Sequence, residues 1–107
     1  MRSTSDPDVV DDASAARYEI RVGQERAGIA LYRLGHDRAG RETITFTHTE
    51  IDDRFEGQGL GGRLARAALG DAGRRGLAVV PVCPFIAGYI DSHPEFRDMV
   101  AQGDAGS

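Results

Sequence analysis

The stretch Glu56-Gly57-Gln58-Gly59-Leu60-Gly61-Gly62-Arg63 decides the fold, because a glycine-rich turn here leads directly into a helical pattern. Glycine adopts positive φ and lets the backbone come close to a ligand. The first amide groups of a helix have no partner within the helix, and with the helix dipole they bind anions. The stretch therefore predicts a loop whose backbone amides hold a phosphate group. The alternative is a loop that contains glycine only to turn tightly.

Two known phosphate-binding loops share letters with this stretch but differ in context. A P-loop requires Lys and then Ser or Thr where Arg63 and Leu64 stand. The dinucleotide fingerprint matches the spacing of Gly57, Gly59 and Gly62, but it follows a strand directly and has an acidic residue about 20 positions later. Here residues 52–56 come between strand and turn, and the next strand ends in Val-Cys-Pro. Neither motif fits.

Three antiparallel strands are predicted before the glycine turn. Apolar residues alternate with charged ones over residues 18–22, and a second apolar run follows over 29–34 after a polar break, which is typical of a hairpin. The stretch TITFTHTEI over residues 43–51 is rich in β-branched residues and predicts the third strand, with Ile44 and Phe46 on one face.

The elements after the turn are a helix, a buried strand and a second helix. Apolar residues recur with helical spacing over residues 59–75. The run LAVVPVC over 77–83 is short and does not alternate, as expected of a strand buried on both faces. Proline then suits the first turn of a helix over 84–93, followed by a short piece over 96–100. This order predicts an α+β fold.

Length and composition indicate one small domain. The chain has 107 residues, and we expect residues 1–16 and 102–107 to be disordered tails around a domain spanning 17–101. Its net charge of −4, with no basic stripe and no cluster of basic residues, disfavours nucleic acid and membrane surfaces as partners. One cysteine, and an acidic start without the apolar run of a signal peptide, favour a cytoplasmic protein.

The glycine turn also resembles the acetyl-CoA loop of the GNAT superfamily of N-acetyltransferases, written Gln/Arg-x-x-Gly-x-Gly/Ala. Glu56 departs from the first position, and the backbone amides remain. The segments FTHTEI over 46–51, VPVCPF over 80–85 and YI-x-x-HPE over 89–95 are similar to the small, cysteine-containing YjdJ-type branch of that superfamily. The resemblance covers about residues 17–100.

This resemblance implies a minimal acetyltransferase fold in which acetyl-CoA lies between the strand before the turn and the strand after its helix. The acetyl group passes to an amine, on a small molecule or a protein, either directly or through acetyl-Cys83. No metal site is expected, because the three scattered histidines and one cysteine have no ligand spacing. The residues expected to contact the CoA moiety are Gly57, Gln58, Gly59, Leu60, Gly61, Gly62, Arg63, Val80, Val82 and Cys83.

Cys83 and His48 are the first two candidates for the chemistry. Cys83 ends a strand just before Pro84 opens a helix, and a helix N-terminus favours the nucleophilic thiolate. A small buried hydrophobic residue is the alternative. His48 is expected on the strand face of Ile44 and Phe46, where a neutral imidazole could deprotonate Cys83 or the incoming ammonium. A histidine packed at the edge of the core is the alternative.

Glu50 and Tyr89 are the other two candidates. Glu50 ends the same strand face as a second possible base, or as a solvated charge. Tyr89 resembles the tyrosine that protonates the departing thiolate in many GNAT enzymes, and its alternative role is a ring at the core edge with a wet hydroxyl. Two other hypotheses stay open: a CoA-binding module without turnover that regulates a partner, and a nucleotide-binding adaptor.

Overall fold

A computed structural model describes residues 7–101, which form one five-stranded sheet with two helices. The strands lie in the order β1 to β5, and every neighbouring pair is antiparallel except β4 and β5, which are parallel. The α+β class and the predicted order of strands, helix, strand and helix are confirmed. The elements are β1 (Asp8–Asp12), β2 (Arg17–Val22), β3 (Glu25–His36), β4 (Glu42–Ile51), α1 (Leu60–Arg74), β5 (Ala78–Pro81) and α2 (Pro84–Ser92), with short 3-10 turns at Ala13–Ala15, Asp53–Phe55 and Pro94–Met99.

The first strand corrects the prediction of a disordered tail over residues 1–16. Residues 8–12 pair along their whole length with β2, from Asp8 opposite Arg21 to Asp12 opposite Arg17. Val9 packs against the core, so even this acidic segment contributes one apolar side chain. The rest of the expected N-terminal tail, residues 1–6, and the expected tail over 102–107 lie outside the described residues.

The core lies between the sheet and the two helices, which share one face of the sheet. Phe46 from β4, Leu64 and Leu69 from α1, and Ile86 from α2 are all fully buried in one cluster. The other face carries no helix within residues 7–101, and we call it the helix-free face. No helix in the described part of the chain has the length and apolar character needed to cross a membrane.

Burial along β5 is uneven because this strand lies at the end of the sheet. Ala78 and Val79 are buried, whereas Val82, just past the strand, is 59% exposed. The expectation of a strand buried on both faces therefore holds only for its first half. The outer edge of β5 is partly covered by Ala101, whose amide donates to the Val79 carbonyl at 2.8 Å.

One extra residue in β4 interrupts its pairing with β3. Phe46 lies opposite Tyr32 and His48 opposite Leu31, so Thr47 has no partner residue. This is a β-bulge, in which two residues of one strand face one residue of its neighbour. The Thr47 hydroxyl donates to the Leu31 carbonyl at 3.5 Å. A one-residue shift reverses the face of every side chain that follows.

The bulge overturns the predicted face of His48. Ahead of it, Ile44 and Phe46 point into the core, and beyond it the core-facing residue is Thr49, which pairs with the buried Ala30 and contacts Cys83. His48 and Glu50 therefore lie on the helix-free face, where both are exposed. In the sequence, the residues of this strand alternate with a period of two throughout, so the bulge cannot be recognised from the sequence.

A polar network ties the C-terminal end of α1 to the sheet. The Tyr18 hydroxyl donates to Asp71 of α1 and the Tyr32 hydroxyl to Asp11 of β1, both at 2.6 Å. Arg75 bridges the two carboxylates, at 3.2 Å from Asp11 and 3.3 Å from Asp71. Burial, reinforced by the bonded carboxylates, raises the pKa of both tyrosines, that of Tyr32 to about 12.

We expect this network to lose stability at alkaline pH. Unfolded tyrosine ionises near its ordinary pKa of 10, whereas folded Tyr32 keeps its proton up to about pH 12. Between these values the folded state binds more protons, so the free energy of unfolding falls as pH rises, by about 1.4 kcal/mol per pH unit for each such tyrosine. Urea unfolding across this window should show a shallower slope for Tyr32→Phe than for the unchanged chain, and equal slopes would contradict the assignment.

Substitution of Gly28 should destabilise the fold, because β4 passes very close to this residue. A Cβ at this position would collide with the Ile51 Cδ1 atom and lie 2.7 Å from the Glu50 carbonyl oxygen. Gly28→Ala is therefore expected to cost about 1–3 kcal/mol in the free energy of unfolding. Gly35 lies on the same strand with nothing nearer than 3.6 Å, so Gly35→Ala is the matched control. Equal losses for the two variants, measured by urea unfolding, would refute this explanation.

Candidate functional site

A gap opens in the sheet where β5 ends and β4 continues. The last paired residues are Phe46 and Pro81, and the Cys83 amide then donates to the Phe46 carbonyl at 2.8 Å. Proline has no N–H, so it cannot continue the ladder as a donor. Beyond this point residues 48–51 of β4 pair only with β3. We call the space between residues 47–51 and residues 82–83 the strand gap.

The glycine turn lies at the start of α1, beyond the end of β4. Gly57 and Gly59 have φ of 86° and 76°, and a Cβ on either would meet nothing within 4 Å. Open space therefore lies next to the backbone at both positions. The Arg63 amide donates to the Gly59 carbonyl at 3.3 Å, which leaves the amides of residues 60–62 without intrahelical partners. We call residues 57–62 the amide cradle.

The side chains of the cradle face in different directions. Leu60 is only 3% exposed and belongs to the core, so its amide alone is free for a ligand. Gln58 and Arg63 are exposed, and Arg63 forms no ion pair within residues 7–101. Glu56 is also exposed, in an extended conformation just before the turn. The predicted phosphate loop thus has the free amides and open space that it requires.

The second pair of glycines has a different explanation. A Cβ on Gly61 would lie 2.9 Å from the Phe85 ring, and one on Gly62 would lie 3.7 Å from the Tyr89 ring. Glycine is needed at position 61 because an aromatic side chain of α2 packs directly on the helix backbone. Phe85, 44% exposed, was not among the predicted site residues. Phe85 stands four residues before Tyr89, and this helical spacing was the sequence signal that could have identified it.

Cys83 occupies the predicted position at the start of α2. It is the N-cap residue, Pro84 follows at the first helical position, and the Cys83 carbonyl accepts from the Ala87 amide at 3.0 Å. Its Sγ lies 3.3 Å from the Thr49 hydroxyl across the strand gap, and the residue is 3% exposed. Thr49 was missed from the sequence, because without the bulge it would point away from the core.

His48 and Glu50 form an ion pair on the helix-free face. The His48 Nε2 atom lies 2.8 Å from the Glu50 carboxylate, with the side chains 52% and 65% exposed. Cys83 lies on the opposite face, and its side-chain partner is Thr49 rather than His48. The structure therefore brings the two predicted bases together but separates them from the thiol by the backbone of β4.

The remaining predicted residues lie at the edges of the site. Val80 pairs with Thr45 inside the sheet, and its carbonyl accepts from the Val82 amide at 3.1 Å. Tyr89 stacks on His93, with ring centroids 3.9 Å apart and 14° between the planes. The Tyr89 hydroxyl has no hydrogen-bond partner among the described residues.

A large cavity lies elsewhere in the described part of the chain. It has a volume of about 790 Å³ between α1 and the strands β1 and β2, and none of its lining residues belongs to the cradle or the strand gap. Two of its carboxylates, Asp11 and Asp71, are already held by the tyrosine network. The volume of a cavity alone therefore does not identify the candidate site.

Comparison with known proteins agrees with this geometry. Residues 17–99 match the family model described as GCN5-related N-acetyl-transferase. The chain is 30% identical over 94 residues to Protein NATD1 of Xenopus tropicalis, covering 81% of this chain and 85% of that protein. It is 32% identical over 101 residues to Protein NATD1 of Mus musculus, covering 88% and 91%.

Two solved structures share the fold. A ribosomal-protein-alanine N-acetyltransferase from Brucella melitensis biovar Abortus 2308 superposes with a TM-score of 0.58 at 17% identity, covering 82% of this chain. An acetyltransferase from Vibrio fischeri gives 0.50 at 10% identity over 63% of this chain. This chain spans 62% and 59% of those two proteins, about three fifths of each. The match to the family model, over most of its length, shows that the chain belongs to the GCN5-related N-acetyltransferase family.

Proposed function

We propose that this chain transfers an acetyl group from acetyl-CoA to an amine, as a small YjdJ-type acetyltransferase with an active-site cysteine. One arrangement supports the proposal most directly: Cys83 begins α2 beside the strand gap, and Phe85, two residues later, packs on Gly61 of the amide cradle. A ligand with a diphosphate at one end and a thioester at the other has the chemistry that these two ends require.

The cradle would hold the pyrophosphate through the free amides of residues 60–62, with Arg63 as the nearest cation. Along the gap, the side of residues 47–51 that faces away from β3 offers backbone N–H and C=O groups to the pantetheine amides. On the other side of the gap, the sequence predicted contacts from Val80, Val82 and Cys83. Ala101 covers the outer edge of β5, so β4 provides the open edge, with Val80 and Val82 as the facing wall.

Cys83 supports a route with two transfers. Its thiolate would attack the thioester carbonyl, forming a new S–C bond as the CoA thiolate leaves. The amine would then attack acetyl-Cys83, forming a C–N bond and releasing the cysteine thiolate. Thr49, 3.3 Å from Sγ, would orient the sulfur. Direct attack of the amine on acetyl-CoA at the same place is the simpler route, with Cys83 as a packed neighbour.

The His48–Glu50 pair favours approach of the amine from the helix-free face. A base must lie within hydrogen-bond reach of the proton that it removes. Because His48 does not contact Cys83, we assign it to the incoming ammonium rather than to the thiol, with Glu50 holding the imidazole. We assign Tyr89 its alternative role, a ring at the core edge with an unpartnered hydroxyl among residues 7–101, rather than that of acid for the departing CoA thiolate, because the ring packs on Gly62 and stacks on His93.

A regulatory module that binds CoA without turnover is the second candidate. The exposure of His48 and Glu50 supports it, because a base in contact with bulk water gains little from the protein environment. The 3% exposure of Cys83 supports it too. The two candidates differ in whether free CoA appears when an amine is added.

Incubation with acetyl-CoA should add one acetyl group to the intact chain, and a panel of amines should remove it. Intact-mass spectrometry measures both steps, and Cys83→Ala should abolish the adduct if the route passes through the thiol. Thr49→Val keeps the thiol and removes its hydroxyl partner, so it should slow adduct formation.

Release of CoA without an adduct, at an unchanged rate in Cys83→Ala, would replace the two-transfer route with direct attack. Tight binding of acetyl-CoA with no CoA release for any amine would overturn the enzyme proposal and leave the regulatory module.

His48→Gln should lower kcat/KM for the best amine about 100-fold, the lower end of the range for a general base. Acetyl-CoA affinity should stay unchanged, because the His48 side chain lies on the opposite face of the sheet from Cys83. Raising the pH should restore part of the rate, since an amine that is already deprotonated needs no base. An equal loss of acetyl-CoA affinity, measured by calorimetry, would contradict this role.

A further inference from the structure

A groove runs along the outer side of α2, next to the amide cradle. It has a volume of about 340 Å³ and is lined by Pro84, Phe85, Gly88, Tyr89, Ser92 and His93. A Cβ on Gly88 would meet nothing within 4 Å, so this glycine forms the open floor of the groove. Two of its aromatic rings, those of Phe85 and Tyr89, face the first turn of α1. We call it the aromatic groove.

The rings of the groove are fixed rather than loosely packed. Tyr89 and His93 are stacked at 3.9 Å, and the Tyr89 ring also contacts Phe96 at a centroid distance of 5.9 Å. His93 Nδ1 lies 2.8 Å from the Tyr89 carbonyl. A carbonyl only accepts, so Nδ1 carries the proton and the neutral ring keeps Nε2 as an acceptor. The groove thus offers flat rings and an acceptor for an amino group.

The position of the groove relates it to the cradle. Phe85 packs on the backbone of Gly61 and Tyr89 on that of Gly62, so two of its rings touch the first turn of α1. Along α2 the rings at 85, 89 and 93 lead away from Cys83, the acyl end of the proposed site. A group attached to the far side of a diphosphate on the cradle would therefore come within reach of these rings.

We propose that the aromatic groove binds the adenine ring of coenzyme A. Adenine is flat, stacks on aromatic side chains and carries an amino group that His93 Nε2 can accept. This inference rests on the proposed function, because it needs the diphosphate on the cradle. It adds the binding site of the nucleotide end, formed by side chains of α2 and by His93 just after it, which the transfer chemistry does not use.

Gly88→Leu is the sharpest test, because it fills the floor of the groove without removing a contact. Leucine favours a helix more than glycine does, and the site is open, so the fold should be retained or stabilised. Calorimetry with coenzyme A should show affinity about tenfold lower than that of the unchanged chain, the order expected for loss of one base stack. Thermal unfolding of the variant without ligand checks the fold.

The second probe is 4′-phosphopantetheine, which keeps the arm and one phosphate but has no adenosine. Its affinity should be the same for Gly88→Leu and the unchanged chain. Equal coenzyme A affinity in the two proteins would overturn the inference, and so would an equal loss for both probes, which would assign the groove to the pantetheine arm. Failure of the unchanged chain to bind either probe would overturn the proposed function together with this inference.

Discussion

The extra residue in β4 is the constraint on which the rest of the site depends. Thr47 has no partner on β3, and the strand beyond it turns every side chain to the other face. That reversal brings Thr49 against Cys83 and puts His48 with Glu50 on the helix-free face. The same segment of β4 pairs with β3 on one side and has no strand on the other, because β5 ends at a proline. One extra residue in β4 thus puts the Cys83 thiol on one face of the sheet and the candidate bases His48 and Glu50 on the other.

The glycines of the cradle serve two purposes that the motif does not distinguish. Gly57 and Gly59 have positive φ and open space beside them, as a backbone that receives a ligand requires. Gly61 and Gly62 are small because the rings of Phe85 and Tyr89 lie against them. The turn is therefore shaped by the second helix as well as by its expected ligand, and the two helices are fitted together at the place where the anion would bind.

The sequence predicted the elements of this fold better than the directions of its side chains. Helical spacing and the glycine turn were enough for α1, and Pro84 for the start of α2, since these signals are local. The face of His48 could not be predicted, because a bulge leaves the alternation of β4 intact in the letters. Strand β1 was missed because three of its five residues are aspartate, which rarely occurs in strands. It is held by pairing with β2 and by Arg75, a residue 64 positions from Asp11.

Those aspartates also determine how the sheet ends. An edge strand presents unpaired N–H and C=O groups to which another chain can add, and natural proteins protect such edges with charge. Two copies meeting at β1 would bring their rows of carboxylates together and repel each other. At the opposite edge, Ala101 already occupies the Val79 carbonyl of β5. A sheet with one acidic edge and one covered edge resists growing from molecule to molecule, which protects so small a domain against aggregation through its strands.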